Sequence, residues 1–288
     1  MKPLAITLGD PAGIGPEIVH KAIAGLDVPV RLFGETQAPI RYGEIAGEYG
    51  RVALDAIDAA LDAIERGECS ALVTGPIHKQ SIALAGSPFP GHTELLAART
   101  GRARYGDDYA MYFDSPRLRT VLLSVHVSLR EAIDAVDADR IAALARLMAR
   151  EYERLYGESP RIAVAGLNPH AGEGGRFGAE EEVIARGVAL AREEGISVSG
   201  PHPPDTVFLA ASGGKYDVVM AMYHDQGLIP IKTTAFHESV NVTIGLPFLR
   251  VSVDHGTAFD IAGKGIADAG PMRYAIEWAA RHAPRYTR

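Results

Sequence analysis

Short, valine-rich apolar runs alternate along this chain with longer stretches in which apolar residues return every three or four positions. The short runs predict strands over Leu4–Leu8, Val28–Phe33, Ala71–Thr74, Tyr109–Phe113 and Thr120–Val125. Four more are predicted over Arg161–Ala165, Asp217–Met222, Val240–Ile244 and Leu249–Val253. The helical period is clearest over Val52–Arg66, Asp137–Tyr156 and Glu180–Glu194, and a last helix is predicted over Pro271–His282. This alternation is that of βα units around a mostly parallel sheet. No repeat, low-complexity linker or long charge run interrupts it, so any division into lobes must use short crossovers.

Composition narrows the class without changing it. At 288 residues, with 47% hydrophobic and 23% charged positions, the chain can hold one large or two modest α/β domains. A net charge of −7 without a basic stripe argues against nucleic acid as a partner. Cys69 is the single cysteine, which leaves no disulfide framework and no CxxC metal or redox site. The opening MKPLAITLGD has no basic-then-apolar leader, and no run is long enough to cross a bilayer. The expectation is a soluble, cytoplasmic α/β protein with no membrane partner.

Three apolar runs end on histidine: His126 in LLSVHVSLR, His170 in AVAGLNPHAGEGG and His224 in VVMAMYHDQG. Open α/β sheets build their sites at the carboxyl ends of strands, where these residues fall. Neutral imidazole is the commonest metal ligand, and three imidazoles with an open fourth position make a catalytic zinc-type site. Asp225, beside His224, can orient that imidazole or join the metal.

Other segments leave two readings open. GDPAGIGPE (9–17) joins the first strand to a helix and suits anion binding and a purely structural turn equally well, being neither GxGxxG nor a Walker loop. TGPIHKQS (74–81) and PFPGHTE (88–94) offer hydroxyls, His78, Lys79, His92 and Thr93 near helix starts, for anion binding or for capping. The glycine-rich stretch Asn168–Glu181 is costly to order and reads as a loop that covers a cofactor. VDHGTAFDIAGKG (253–265) adds Asp254, His255 and Lys264. His20, His202, His237 and His282 read as hydrogen-bonded structural residues.

Taken together, GDPAGIGPE, TGPIHK, GHTE, GLNPHAGEGG, YHDQG, GLPFLR and VDHGTAFDIAGKG resemble, in that order, the 4-hydroxythreonine-4-phosphate dehydrogenase family of vitamin B6 biosynthesis. The resemblance runs from residue 9 to residue 265. It implies a two-lobed α/β/α fold of the isocitrate and isopropylmalate dehydrogenase type. Residues 1–100 and 245–288 would form one lobe and 101–244 the other, with the active site in the interlobe cleft at a homodimer interface. It implies His126, His170 and His224 as metal ligands, one of them reaching across from the partner chain. His92, Thr93, Lys232, Asn241 and Arg250 match the substrate contacts. Asn168, Gly172, Glu173, Gly174 and Gly175 fall in the cofactor-covering loop, and Asp205 and Asp225 are the candidate catalytic acids or bases.

The implied activity is oxidation of the secondary alcohol of 4-phosphohydroxy-L-threonine, followed by decarboxylation to 3-amino-2-oxopropyl phosphate. The implied cofactors are NAD or NADP and a divalent metal: zinc, or else magnesium or cobalt. Relatives acting on four-carbon sugar-acid phosphates or aromatic cis-dihydrodiols share the same ligands, so those substrates stand as alternatives. A metal-dependent hydrolase and a sugar-phosphate-binding protein explain fewer of the segments. Two departures from the family pattern are visible: a shortened stretch between Phe33 and Arg51, and His78 where Asn is frequent.

Overall fold

The computed structural model describes residues 2–286. Along the chain come β1 (Leu4–Thr7), α1 (Gly15–Ile23), β2 (Val30–Phe33), α2 (Gly47–Glu65), β3 (Ala71–Thr74), α3 (Lys79–Leu84) and α4 (His92–Arg99). There follow β4 (Ala110–Asp114), β5 (Arg119–Leu122), α5 (Leu129–Asp134), α6 (Ala138–Tyr156) and β6 (Ile162–Ala165). A short 3-10 turn (Pro169–Glu173) leads to α7 (Glu180–Glu193), β7 (Val198–His202), α8 (Pro204–Ser212) and β8 (Val218–Ala221). The chain closes with α9 (His224–Ala235), β9 (Val240–Ile244), β10 (Leu249–Ser252) and α10 (Gly270–Tyr286).

These elements form two compact units. Of the described residues, the first contains 2–101, 237–242 and 246–286, the second 102–236 and 243–245. In the first, β2, β1, β3 and β10 run parallel in that order and β9 joins β10 antiparallel. In the second, β4 joins β5 antiparallel, and β5, β8, β6 and β7 follow in parallel. Strands β1, β3, β6 and β8 are buried at every residue, as parallel strands covered by helices must be.

Local chemistry explains the helices that shape the sites. Asp137 caps α6 by accepting from the Arg140 N–H at 3.0 Å, and Gly157 ends it in the left-handed region. Helices α2 and α3 touch at Gly50, where a Cβ would lie 2.0 Å from the Ser81 carbonyl oxygen. The predicted strands and helices all form, with ends moved by a few residues. Strand β7 had no counterpart in the sequence pattern. Its VSGPH sequence carries Gly200 and Pro201, which obscure a strand signal, and it lies last in the sheet order, where such residues are tolerated. Helix α9 continues through Pro230 to Ala235, which puts Lys232 in its last turn, and the Thr233 and Thr234 hydroxyls donate to the Ile229 and Pro230 carbonyls.

Candidate active site

The second unit carries the three strand-end histidines. Strands β5, β8 and β6 are parallel neighbours, and each delivers a histidine three to five residues beyond its last residue: His126, His224 and His170. The His126 and His224 rings tilt toward each other with centroids 5.9 Å apart, beside a cavity of about 260 Å³ lined also by Ser124, Val125, Tyr223 and Asp225. His224 Nδ1 lies 2.7 Å from the Asp225 carboxylate. A carboxylate can only accept, so Nδ1 carries the proton and Nε2 keeps the lone pair that a metal needs. His170 stands on the next loop with its ring 6.4 Å from that of Phe177. Among the described residues, no three of His, Cys, Asp and Glu within this chain come close enough to hold a metal ion. The donor chemistry of these imidazoles suits a nitrogen-liganded divalent ion.

Backbone strain concentrates at the same loops. His126 has φ 30°, and His170, Ala171 and Glu173 have φ 53°, 53° and 42°, interleaved with Gly172, Gly174 and Gly175 at 75°, 66° and 91°. Left-handed non-glycine residues cost roughly 1–3 kcal/mol each and persist only where surroundings over-determine them. Here the surroundings are side chains. Buried Glu181 accepts from the N–H groups of Leu167 and Asn168 at 3.0 and 2.7 Å, and from Asn168 Nδ2 at 2.9 Å. Buried Gln226 accepts from Met222 N–H at 2.7 Å and donates to the Gly166 carbonyl at 2.8 Å. Asn168 also reaches Glu180 at 2.8 Å, and Gly172 is buried against Glu181, so both anchor the loop; Glu173, Gly174 and Gly175 are its exposed part. Asp205 is exposed in the first turn of α8, and Lys232 is exposed in the last turn of α9.

The first unit gathers a different chemistry. Arg250 on β10 is 2% exposed and donates from Nη2 to the Thr74 hydroxyl at 2.8 Å. Burial pulls its pKa down to about 10, while Glu94 and Asp254 pull the other way, so it remains cationic at neutral pH. His92 opens α4, and burial followed by the nearby Arg250 holds its pKa well below the usual histidine range. Its Nε2 is buried and has no hydrogen-bond partner in the structure, as is the case for Asn241 Oδ1 on β9. Asn241 pairs with Ser252 across the β9–β10 ladder, and Ser239 donates to Asp254 at 2.7 Å. Thr93 is buried one residue after His92, and the cap of α4 is Gly91, which has no side chain to offer. A buried guanidinium near a neutral imidazole is an anion-binding chemistry.

Two motifs resolve toward structure. The N–H groups of Asp10, Ala12, Gly13 and Ile14 are bonded to Pro76, the Asp10 side chain, the Asp10 carbonyl and Thr257, so the 9–17 loop presents none of these to an anion. His78 accepts from the Ser81 N–H at 3.3 Å to cap α3 and stacks on Phe259 with centroids 4.7 Å apart. His20, His202 and His282 are hydrogen-bonded within the fold. Gln226 and Glu181 were not legible as site residues; the Gln226–Gly166 bond spans 60 residues, and only the tertiary fold reveals it.

Residues 16–279 match the family model described as pyridoxal phosphate biosynthetic protein PdxA. The chain is 44% identical to a 4-hydroxythreonine-4-phosphate dehydrogenase of Beijerinckia indica over 323 residues, covering 97% of this chain and 94% of that protein. That length exceeds the 288 residues of this chain, so the relative carries segments that are missing here. It is 39% identical over 328 residues to a D-threonate 4-phosphate dehydrogenase of Salmonella typhimurium, covering 98% of this chain and 99% of the other. The fold matches the crystal structure of a Klebsiella pneumoniae 4-hydroxythreonine-4-phosphate dehydrogenase with TM-score 0.86 and 38% identity, covering 98% of this chain and 100% of that one. An isocitrate dehydrogenase of Methylococcus capsulatus shares the fold alone, with TM-score 0.51 at 18% identity over 96% of this chain and 83% of that one.

Proposed function

Because the chain belongs to the PdxA family of pyridoxal phosphate biosynthetic proteins, we propose that it is a dehydrogenase acting on 4-phosphohydroxy-L-threonine, with NAD or NADP and a divalent metal as cofactors. The observation that carries the metal part is the delivery of His126, His224 and His170 by three neighbouring parallel strands. The reading includes a homodimer, with one of the three imidazoles contributed by the partner chain.

When bound, the divalent ion supplies electrophilic stabilisation of the substrate oxygen and the nicotinamide supplies the hydride acceptor. The residues of this chain bind and orient. Arg250, His92, Thr93 and Asn241 hold the phosphate or carboxylate, with Lys232 as a further cation, and so fix the geometry that hydride transfer requires. Asp225 holds the His224 imidazole in one tautomer through their 2.7 Å contact. Asp205, exposed in the first turn of α8, and Asp225 are the candidates to take the hydroxyl proton, by their match to the family pattern. The exposed backbone of Glu173, Gly174 and Gly175 covers the cofactor. Oxidation at the carbinol carbon gives a 3-keto acid, which loses CO2 as its ketone accepts the electron pair, leaving 3-amino-2-oxopropyl phosphate.

A second substrate, D-threonate 4-phosphate, is favoured by the 39% identity to the Salmonella enzyme. The two acids differ by amine against hydroxyl at the carbon beside the carboxylate. The test is absorbance at the reduced-nicotinamide band with each acid, with NAD and NADP, with and without chelator. Chelator-sensitive reduction is expected with the aminated acid, and reduction with D-threonate 4-phosphate alone would move the substrate. No reduction with either acid by folded, metal-loaded protein would refute both.

A further inference from the structure

We propose that Gln226 and Glu181 are positioning residues that fix the His170 loop relative to the turn bearing His224, resting on the reading that these histidines are metal ligands. The β6–β8 ladder ends at the Val164–Met220 pair. Beyond that pair β6 and β8 no longer bond each other, although each still meets its outer neighbour, through Gly166 N–H to the His202 carbonyl and Leu123 N–H to the Ala221 carbonyl, both at 2.8 Å. Both histidines lie beyond that pair. Gln226 continues the pairing by other means: its carbonyl accepts from Met222 N–H at 2.7 Å and its amide donates to the Gly166 carbonyl at 2.8 Å. Met222 is two residues before His224, and Gly166 is four before His170. The Met222 carbonyl, in the following peptide unit, is held as well, because it accepts from Ser124 Oγ at 2.8 Å, and Ser124 is two residues before His126.

Glu181 grips the next stretch of the same loop. One of its oxygens accepts from Leu167 N–H at 3.0 Å and Asn168 N–H at 2.7 Å, and the other accepts from Asn168 Nδ2 at 2.9 Å. It also closes over Gly172, where a Cβ would lie 2.8 Å from Glu181 Oε2. The left-handed run from His170 to Gly175 thus has its base held by side-chain hydrogen bonds and its middle, at Gly172, packed close to Glu181. Both residues bond main-chain or loop groups that aim the imidazoles. The consequence is that metal affinity depends on two residues that need not touch the metal.

The experiment uses Gln226→Glu and Glu181→Gln in the full chain. Gln226→Glu keeps the acceptor for Met222 N–H but sets a carboxylate oxygen against the Gly166 carbonyl. Glu181→Gln keeps an acceptor for the two backbone N–H groups but sets an amide against the Asn168 amide. Cobalt(II) is titrated into each and its visible absorption followed, beside Leu144→Ala in α6 as a control that lowers stability elsewhere. Each variant is expected to bind cobalt about 10–100-fold more weakly, with an altered spectrum, while the control keeps the wild-type spectrum and affinity. Wild-type affinity and spectrum in both variants, or the same loss in the control, would overturn the proposal. If wild-type protein binds no cobalt, the ligand reading has failed on its own. The brace is then judged by amide exchange at Leu167, Asn168 and Met222: acceleration of about tenfold or more over wild type supports it, and unchanged exchange overturns it. Should one variant fail to fold, the other decides alone.

Discussion

Replacing Arg250 by Met should separate ligand binding from folding in a way that can be calculated. The drop of its pKa from 12.5 to about 10 corresponds to roughly 3 kcal/mol of desolvation that the neighbouring carboxylates do not return. A phosphate or carboxylate brought beside the guanidinium offsets that cost, and losing one partner of such a buried contact costs about 2–5 kcal/mol in binding. Taking about 3 kcal/mol, affinity falls roughly 150-fold. At a hundredfold excess over the wild-type Kd, 4-phosphohydroxy-L-threonine adds about 2.7 kcal/mol to wild-type stability. For a chain of this size that raises Tm by about 5–11 °C. The same concentration adds only about 0.3 kcal/mol to the variant, or about 1 °C. Thermal unfolding followed by circular dichroism, with and without the acid, gives both shifts. A wild-type-sized shift in Arg250→Met would refute the assignment of Arg250 as an anion anchor.

The remaining predictions concern other links. His92 is held neutral by burial and by Arg250, with its folded pKa below the unfolded value near 6.5. The unfolded state therefore takes up a proton first as pH falls, so stability is full above about pH 6.5 and declines below it. His92→Gln should flatten Tm between pH 7 and pH 5, and an unchanged slope would exclude His92 as its source. Asp225→Asn should weaken metal binding about 10–100-fold through loss of the carboxylate on His224 Nδ1, read by competition with a chromogenic chelator; equal affinity would remove that role. Gly50→Ala should cost about 1–3 kcal/mol because its Cβ falls 2.0 Å from the Ser81 carbonyl, and a Tm unchanged from wild type would show that α2 and α3 separate freely.

The strands of the first and second units were legible because buried parallel strands are continuous apolar runs, as in ALVT of β3 and VVMA of β8. VSGPH of β7 was not, since Gly200 is demanded by a close approach to the Val164 carbonyl, where a Cβ would lie 2.6 Å away, rather than by strand propensity. The histidines announced themselves by following closely on apolar strand runs. Their arrangement did not, because it depends on Gln226 reaching Gly166 and on Glu181 reaching back to Leu167, contacts that leave no periodic trace. The proposed anion site was half legible: Arg250 and His92 stood in recognisable strings, but that Thr74 meets the guanidinium follows only from β3 and β10 lying side by side. The 9–17 loop left two readings open in the sequence, and its glycines serve tight packing, as at Gly9, where a Cβ would lie 2.2 Å from the Pro76 carbonyl oxygen.

The most direct test of the account is the metal content of the dialysed protein and of His126→Ala, His170→Ala and His224→Ala, measured by mass spectrometry alongside nicotinamide reduction. The account predicts that the wild-type protein retains a divalent ion and turns over. Each variant should lose both while keeping its circular dichroism spectrum. A variant that keeps its metal and its turnover would remove that histidine from the ligand set and contradict the three-strand metal site.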